Sequence, residues 1–178
     1  MRFKPHGAST FFPFDQAGLT DRNLAADDLG LPWRHLEEQL HELTSTRDRL
    51  RLIERTLLAK VCASTPLLLL DAALASLGRS GEASSVQQTA RQLSLSPRQL
   101  ERLFQRHIGL TPRRFARLAR FRRIFPALAS RHNRWADIAA DCGFYDQSHL
   151  VREFRDFTGL TPGEYLREAD GMGVALLA

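Results

Sequence analysis

Two short stretches of this sequence carry side chains that could do chemistry together. Arg98, Glu101, Arg102 and Gln105 recur at the spacing that puts them on one face of a helix. Gln147, Ser148, Val151, Arg152 and Arg155 form a second such face. The chemistry open to them is recognition, not bond breaking. A guanidinium grips a phosphate or a guanine edge through two bonds; Gln, Ser and Glu can hydrogen-bond to base edges, and Val can meet a thymine methyl. The same side chains would also make an ordinary solvated helix face, so the pattern alone leaves both readings open. There is no Ser/His/Asp set, phosphate-cradling glycine loop or pair of carboxylates. His107 and His149 have no second ligand at helical spacing, and Cys62 and Cys142 have no metal-ligand spacing. No enzymatic activity, cofactor or metal is therefore expected. Cys142, on an apolar position, reads as a small core residue, and Trp33 and Trp135 as core anchors.

Both faces need helices to hold them, and the second half of the chain supplies these twice. Residues 100–112 read LERLFQRHIGLTP and residues 150–162 read LVREFRDFTGLTP, identical at seven of 13 positions. Upstream the offset slips from 50 to 49 residues, so that Leu95 pairs with Phe144, Ser94 with Gly143 and Val86 with Trp135. Ser85-Val86-Gln87-Gln88, Ser96-Pro97-Arg98-Gln99 and Thr161-Pro162-Gly163-Glu164 fit the capping box that starts a helix. Gly143 supplies a turn where positive φ is needed. Each copy thus reads as a helix, a tight turn and a second helix, the helix-turn-helix pattern. Leu100, Leu103 and Phe104 in one copy, and Leu150, Phe154 and Phe157 in the other, form the stripes that face a core.

Charge is distributed to match. The 178 residues carry a formal net charge of +5, yet residues 1–80 are balanced, with 10 basic and 10 acidic side chains. Arg91 to Arg134 holds 12 arginines and a single acid, Glu101. Such a field steers polyanions, although arginine-rich codon usage or a solvated face would give the same count.

The first half holds less. Residues 1–30 read as an irregular or β-like arm, with His6-Gly7 as a turn and the proline-broken Phe11–Phe14 cluster as packing. Residues 31–80 read as a helical connector or dimerisation segment: one stretch over 33–61 split at Thr44-Ser45-Thr46, then a helix from Thr65-Pro66 to about Gly78. Leu36, Leu43, Leu50 and Leu57 keep a seven-residue step, but Arg47 and Glu54 charge the companion lane, which favours a local bundle over a coiled coil. Gly78-Arg79-Ser80-Gly81 is the candidate linker. Residues 81–170 form the third segment. The longest apolar run, Leu67–Leu70, is far too short for a membrane span, no signal peptide opens the chain, and two cysteines are too few for a disulfide framework. A cytoplasmic protein with no membrane partner is expected.

The run Gly143-Phe144-Tyr145-Asp146-Gln147-Ser148-His149-Leu150, followed by Phe154, Phe157, Gly159 and Pro162, resembles the AraC/XylS transcriptional regulators, and the likeness covers about residues 82–168. The resemblance implies an all-α domain of seven helices, with tandem helix-turn-helix units joined by one long linker helix, here over about Pro112–Ser130. It implies that Arg98, Glu101, Arg102 and Gln105 read bases in the first unit and Gln147, Ser148, Val151 and Arg152 in the second, in successive major-groove segments of double-stranded DNA. Arginines 113, 114, 117, 120, 122 and 123 of the linker helix are expected to meet phosphates or solvent. Pro126 departs from the pattern and should kink that helix or end it early. Activation of transcription, RNA polymerase as a further partner and a homodimer through residues 31–78 are expectations of the same kind. The opening RFKP-x-G, LTDR and Asp-Asp-Leu runs resemble the end of a longer, β-rich sensor. The rival expectation is a shortened interaction protein that pairs through its helical first half with a full-length regulator.

Overall fold

The structure is a computed structural model; it describes residues 5–11, 15–20, 22, 33–59, 61, 65–80, 85–129 and 134–171. Among these, all regular structure is helical: α1 (Gly7–Phe11), a 3-10 turn (Gln16–Leu19), α2 (Trp33–Glu42), α3 (Thr46–Leu58), α4 (Thr65–Ser80), α5 (Ser85–Gln92), α6 (Pro97–Ile108), α7 (Pro112–Arg122), α8 (Ile124–Ala129), α9 (Trp135–Cys142), α10 (Gln147–Thr158) and α11 (Pro162–Gly171). The chain folds as two units, one of residues 1–72 and 95–111 and the other of 73–94 and 112–178.

In the first unit the described residues of the arm carry helical turns where an irregular or β-like segment was expected. They form α1 and the 3-10 turn, and both pack on α6. Asp15 caps the turn by accepting from Ala17 N at 2.9 Å. The Thr20 hydroxyl donates to the Gly109 carbonyl at 2.8 Å, just beyond the end of α6. His107 Nδ1 lies 3.3 Å from Ser9 Oγ, and Ser9 also bonds the His6 carbonyl at 2.8 Å. Burial, followed by the neighbouring Arg106 charge, pushes the His107 imidazole below its ordinary pKa. Residues 1–4 and 12–14, which held the strand expectation and most of the Phe11–Phe14 cluster, lie outside the described residues.

The split at 44–46 is where α2 gives way to α3, because Ser45 takes an extended conformation. The leucine heptad does not form one seam: Leu36 and Leu57 are buried, whereas Leu50 is 58% exposed. Leu57 packs instead with Ala8, Phe11 and Ile53. The Trp33 side chain, Cys62 and the candidate linker from Gly81 on lie outside the described residues; Gly78 itself is still inside α4.

The second unit is built around one hydrophobic core. Phe121, Ile124, Ile138, Ala139, Cys142, Phe144, Leu150 and Phe154 are buried together, with Trp135, Phe157 and Tyr165 packed against them. The rings of Phe121 and Phe154 meet edge-on at 5.3 Å and those of Phe154 and Tyr165 at 5.4 Å, tying α7, α10 and α11. Cys142 is a buried free thiol whose pKa burial raises, as fits a small core residue. Thr89, fully buried on α5, is satisfied by Ser76 Oγ of α4 at 2.8 Å.

The α5–α11 run gives seven helices between residues 85 and 171, but α7 and α8 stand where one joining helix was expected. The interruption falls at Arg123, three residues before Pro126. Proline has no N–H for the Arg122 carbonyl, and its ring crowds that same carbonyl. The ladder gives way there to a tighter bond, Arg123 N to Arg120 O at 3.1 Å, and resumes with a long one, Ala127 N to Arg123 O at 3.4 Å. The Arg123 side chain is put to use: it donates to the Gly78 and Arg79 carbonyls in the last turn of α4, where helix carbonyls need partners from outside the helix.

Candidate nucleic-acid interface

Each candidate face rides on a helix whose ends are fixed in the same way. Ser96 Oγ accepts from Gln99 N at 3.2 Å while Gln99 Oε1 accepts from Ser96 N at 2.8 Å, the expected capping box. Asp146 does the same work for α10, accepting from His149 N at 2.6 Å. At the other ends Gly109 and Gly159 both take φ +79°, a left-handed cap available to glycine at no steric cost. Both helices are 12 residues long. Beyond them Thr161 and Glu164 form the reciprocal box of α11, which holds the Glu164 carboxyl below its ordinary range.

The turn before each helix also repeats. Gly143 closes α9 at φ +80°, and Ser94, its counterpart, sits at φ +55°, a left-handed conformation unusual for a residue with a side chain. Within the second unit the turn is locked by Phe144, whose amide bonds Ala139 O at 2.8 Å and whose ring is buried in the core.

These frames decide which side chains are left outside. On α6, Leu100 and Phe104 are buried and Arg98, Glu101, Arg102 and Gln105 are exposed. On α10, Leu150, Glu153 and Phe154 are buried, Gln147, Ser148, Arg152 and Arg155 are exposed, and Val151 is half-buried against the core. None of the four arginines on these faces pairs with a carboxylate among the described residues. α6 and α10 belong to different units, so each face stands on its own helix.

The arginines of the joining segment behave differently from the expectation that all meet phosphates or solvent. Arg117 Nε and Arg120 Nη2 both donate to Glu153 Oε1, at 2.8 and 2.9 Å, and Arg117 also reaches Asp156 Oδ2 at 3.0 Å. The Arg120 guanidinium lies 4.9 Å over the Phe144 ring and that of Arg117 5.5 Å over Phe157. The hydrogen bond to Glu153 pushes the Arg117 pKa up further. Arg113 and Arg122 remain exposed. A sign of this was present in the repeat: where copy one has Leu103, copy two has Glu153, an acid in a core stripe beside an arginine-rich segment. Tyr145, 91% exposed on the turn before α10, is a further polar aromatic beside the second face.

Residues 89–168 match the family model of a helix-turn-helix domain. Over this stretch the chain resembles an AraC-type helix-turn-helix domain. The chain is 31% identical over 88 residues to the HTH-type transcriptional regulator Rv1931c of Mycobacterium tuberculosis, covering 49% of this chain and 34% of that protein. It is 32% identical over 78 residues to the uncharacterized HTH-type transcriptional regulator YpdC of Escherichia coli, covering 44% and 27%. The chain thus spans about a third of the length of the curated relatives it matches. No solved structure matches it. Among the described residues no helix is long and apolar enough to cross a membrane. The matched stretch takes in part of α5, all of α6 through α10 and most of α11, so both candidate faces fall inside it.

Proposed function

We propose that this chain is a sequence-specific, double-stranded-DNA-binding transcription regulator whose α6 and α10 each read one major-groove segment. The observation that carries the reading is Arg102 and Arg152: the same position of the repeat, on helices with matching caps, with both side chains exposed. Arg98, Glu101 and Gln105 accompany the first, and Gln147, Ser148, Val151 and Arg155 the second. Phosphate contacts from the remaining exposed arginines supply affinity that falls steeply with salt. Base contacts supply the choice of sequence. RNA polymerase is a further partner on this reading, and the cytoplasm its setting.

Random-sequence DNA selection with the purified chain at ~150 mM salt tests it, a salt level at which non-specific binding is already weak. Two enriched half-motifs about one helical turn apart are expected. Binding without a motif, vanishing as salt rises, would remove the reading.

The exposed Leu50 and Leu58 of α3, at 58% and 62%, favour a second reading, in which residues 31–78 pair with another copy or with a full-length regulator. Light scattering after size exclusion decides: a monomer at micromolar concentration leaves no built-in pairing module.

A further inference from the structure

Glu153 is one residue along from Arg152 on α10, yet it points the other way, into the protein, and is 5% exposed. Its Oε1 takes hydrogen bonds from Arg117 and Arg120 of α7. His149, one turn earlier on α10, approaches the same oxygen with Nε2 at 3.6 Å. The His149 Nδ1 accepts from Tyr145 N at 3.3 Å, which leaves Nε2 to carry the proton toward Glu153. Arg120, held by Glu153, covers the Phe144 ring, and that ring stands edge-on to His149 at 5.5 Å. One carboxylate oxygen therefore joins α7, the turn at 143–146 and the first turn of α10.

Folding a helix-turn-helix does not demand this. The first copy places Leu103 at the matching position and still forms the capped, amphipathic α6. A buried charge with two guanidiniums is also a costly way to fill a core position, and an apolar residue of similar volume often serves stability as well. What the carboxylate adds is direction, since its bonds fix the rotation of α10 relative to α7 where apolar packing would tolerate slippage.

We infer that Glu153 is a positioning residue for base reading by the second unit, setting through Arg117, Arg120 and His149 the angle at which α10 presents Gln147, Ser148 and Arg152. This rests on the DNA reading proposed above. It concerns the second copy alone.

Glu153→Gln keeps the shape and removes the charge. Arg117→Ala is the gentler variant, because it cuts one leg of the hub at a half-exposed side chain and leaves Arg120 paired. Each variant and the parent chain are put through the same random-sequence selection and through amide hydrogen exchange. The expected result is loss of information in the half-motif read by α10, with the half-motif read by α6 intact, and exchange about tenfold faster for amides 144–150, as fits the loss of one charge-assisted bond. Equal weakening of both half-motifs would make the hub a general stability element, and an unchanged α10 half-motif in both variants would show that it positions nothing. Either result overturns the inference. A parent chain with no motif would remove the DNA reading and the positioning role with it, while the exchange data would still show whether the hub clamps the turn.

Discussion

The Thr20 hydroxyl and the Gly109 carbonyl are 2.8 Å apart, and they join the arm to the end of the first candidate recognition helix. The contact is close on the other side as well. A Cβ on Gly109 would stand 2.5 Å from Thr20 Oγ1 and 2.6 Å from the Gln16 carbonyl oxygen, whereas one on Gly159 would meet nothing within 4 Å. Both glycines have φ +79°. Gly159→Ala should therefore cost only the conformational penalty, about 1–2 kcal/mol. Gly109→Ala should cost about 1–3 kcal/mol more, since the Gln16 backbone must move. Urea melts of the two variants measure the difference; equal losses would mean that the arm does not pack on α6.

Ser94 and Gly143 offer a second paired comparison. Ser94 holds φ +55° with a side chain, and Gly143 holds φ +80° without one. Ser94→Gly should raise the melting temperature, and Gly143→Ala should lower it by the equivalent of about 1 kcal/mol. A Ser94→Gly variant that melts lower than the parent would show that the serine hydroxyl repays its conformation.

His107 makes stability depend on pH. Its pKa is lowered in the folded chain, by burial and then by Arg106, so the unfolded chain binds the proton more readily. Its contribution is fully present above about pH 6.5, the ordinary histidine value, and is lost as pH falls through the depressed folded value. The melting temperature of the parent should drop toward acid more steeply than that of His107→Gln. Parallel curves would clear His107.

Arg102→Ala and Arg152→Ala should each relax sequence choice at one base position, by about 1–3 kcal/mol of discrimination, without unfolding the chain. Selection with each variant shows this directly. Uniform weakening across all sequences would demote that arginine to a phosphate contact.

What could be read from the sequence was local. The capping boxes at Ser96 and Thr161, the split at residues 44–46 and the glycine of the second turn depend on neighbours three or four residues away, and each is where its spacing puts it. What could not be read depends on residues far apart. Arg117 and Arg120 find Glu153 across 36 and 33 residues, so arginines that look like phosphate ligands turn out to be structural. The helical turn at residues 7–11 escapes notice because α1 has five residues and leans on α3 and α6 more than on its own propensity. The break at Arg123 was foreshadowed by Pro126, but only the fold shows that the freed arginine closes the end of α4.

The path of the chain between the two units has a consequence for synthesis. The chain enters the second unit at residue 73, returns to the first for residues 95–111, and leaves again at 112. As the polypeptide emerges from the ribosome, α1 meets α3 early but the 3-10 turn must wait for α6, and α5 with the end of α4 must wait longer for the rest of the second unit. The first unit is complete only when residue 111 has been made, with residues 73–94 of the second already threaded between its two parts, and a protease cut or a cloning boundary between residues 80 and 85 would deliver two fragments that each lack part of both.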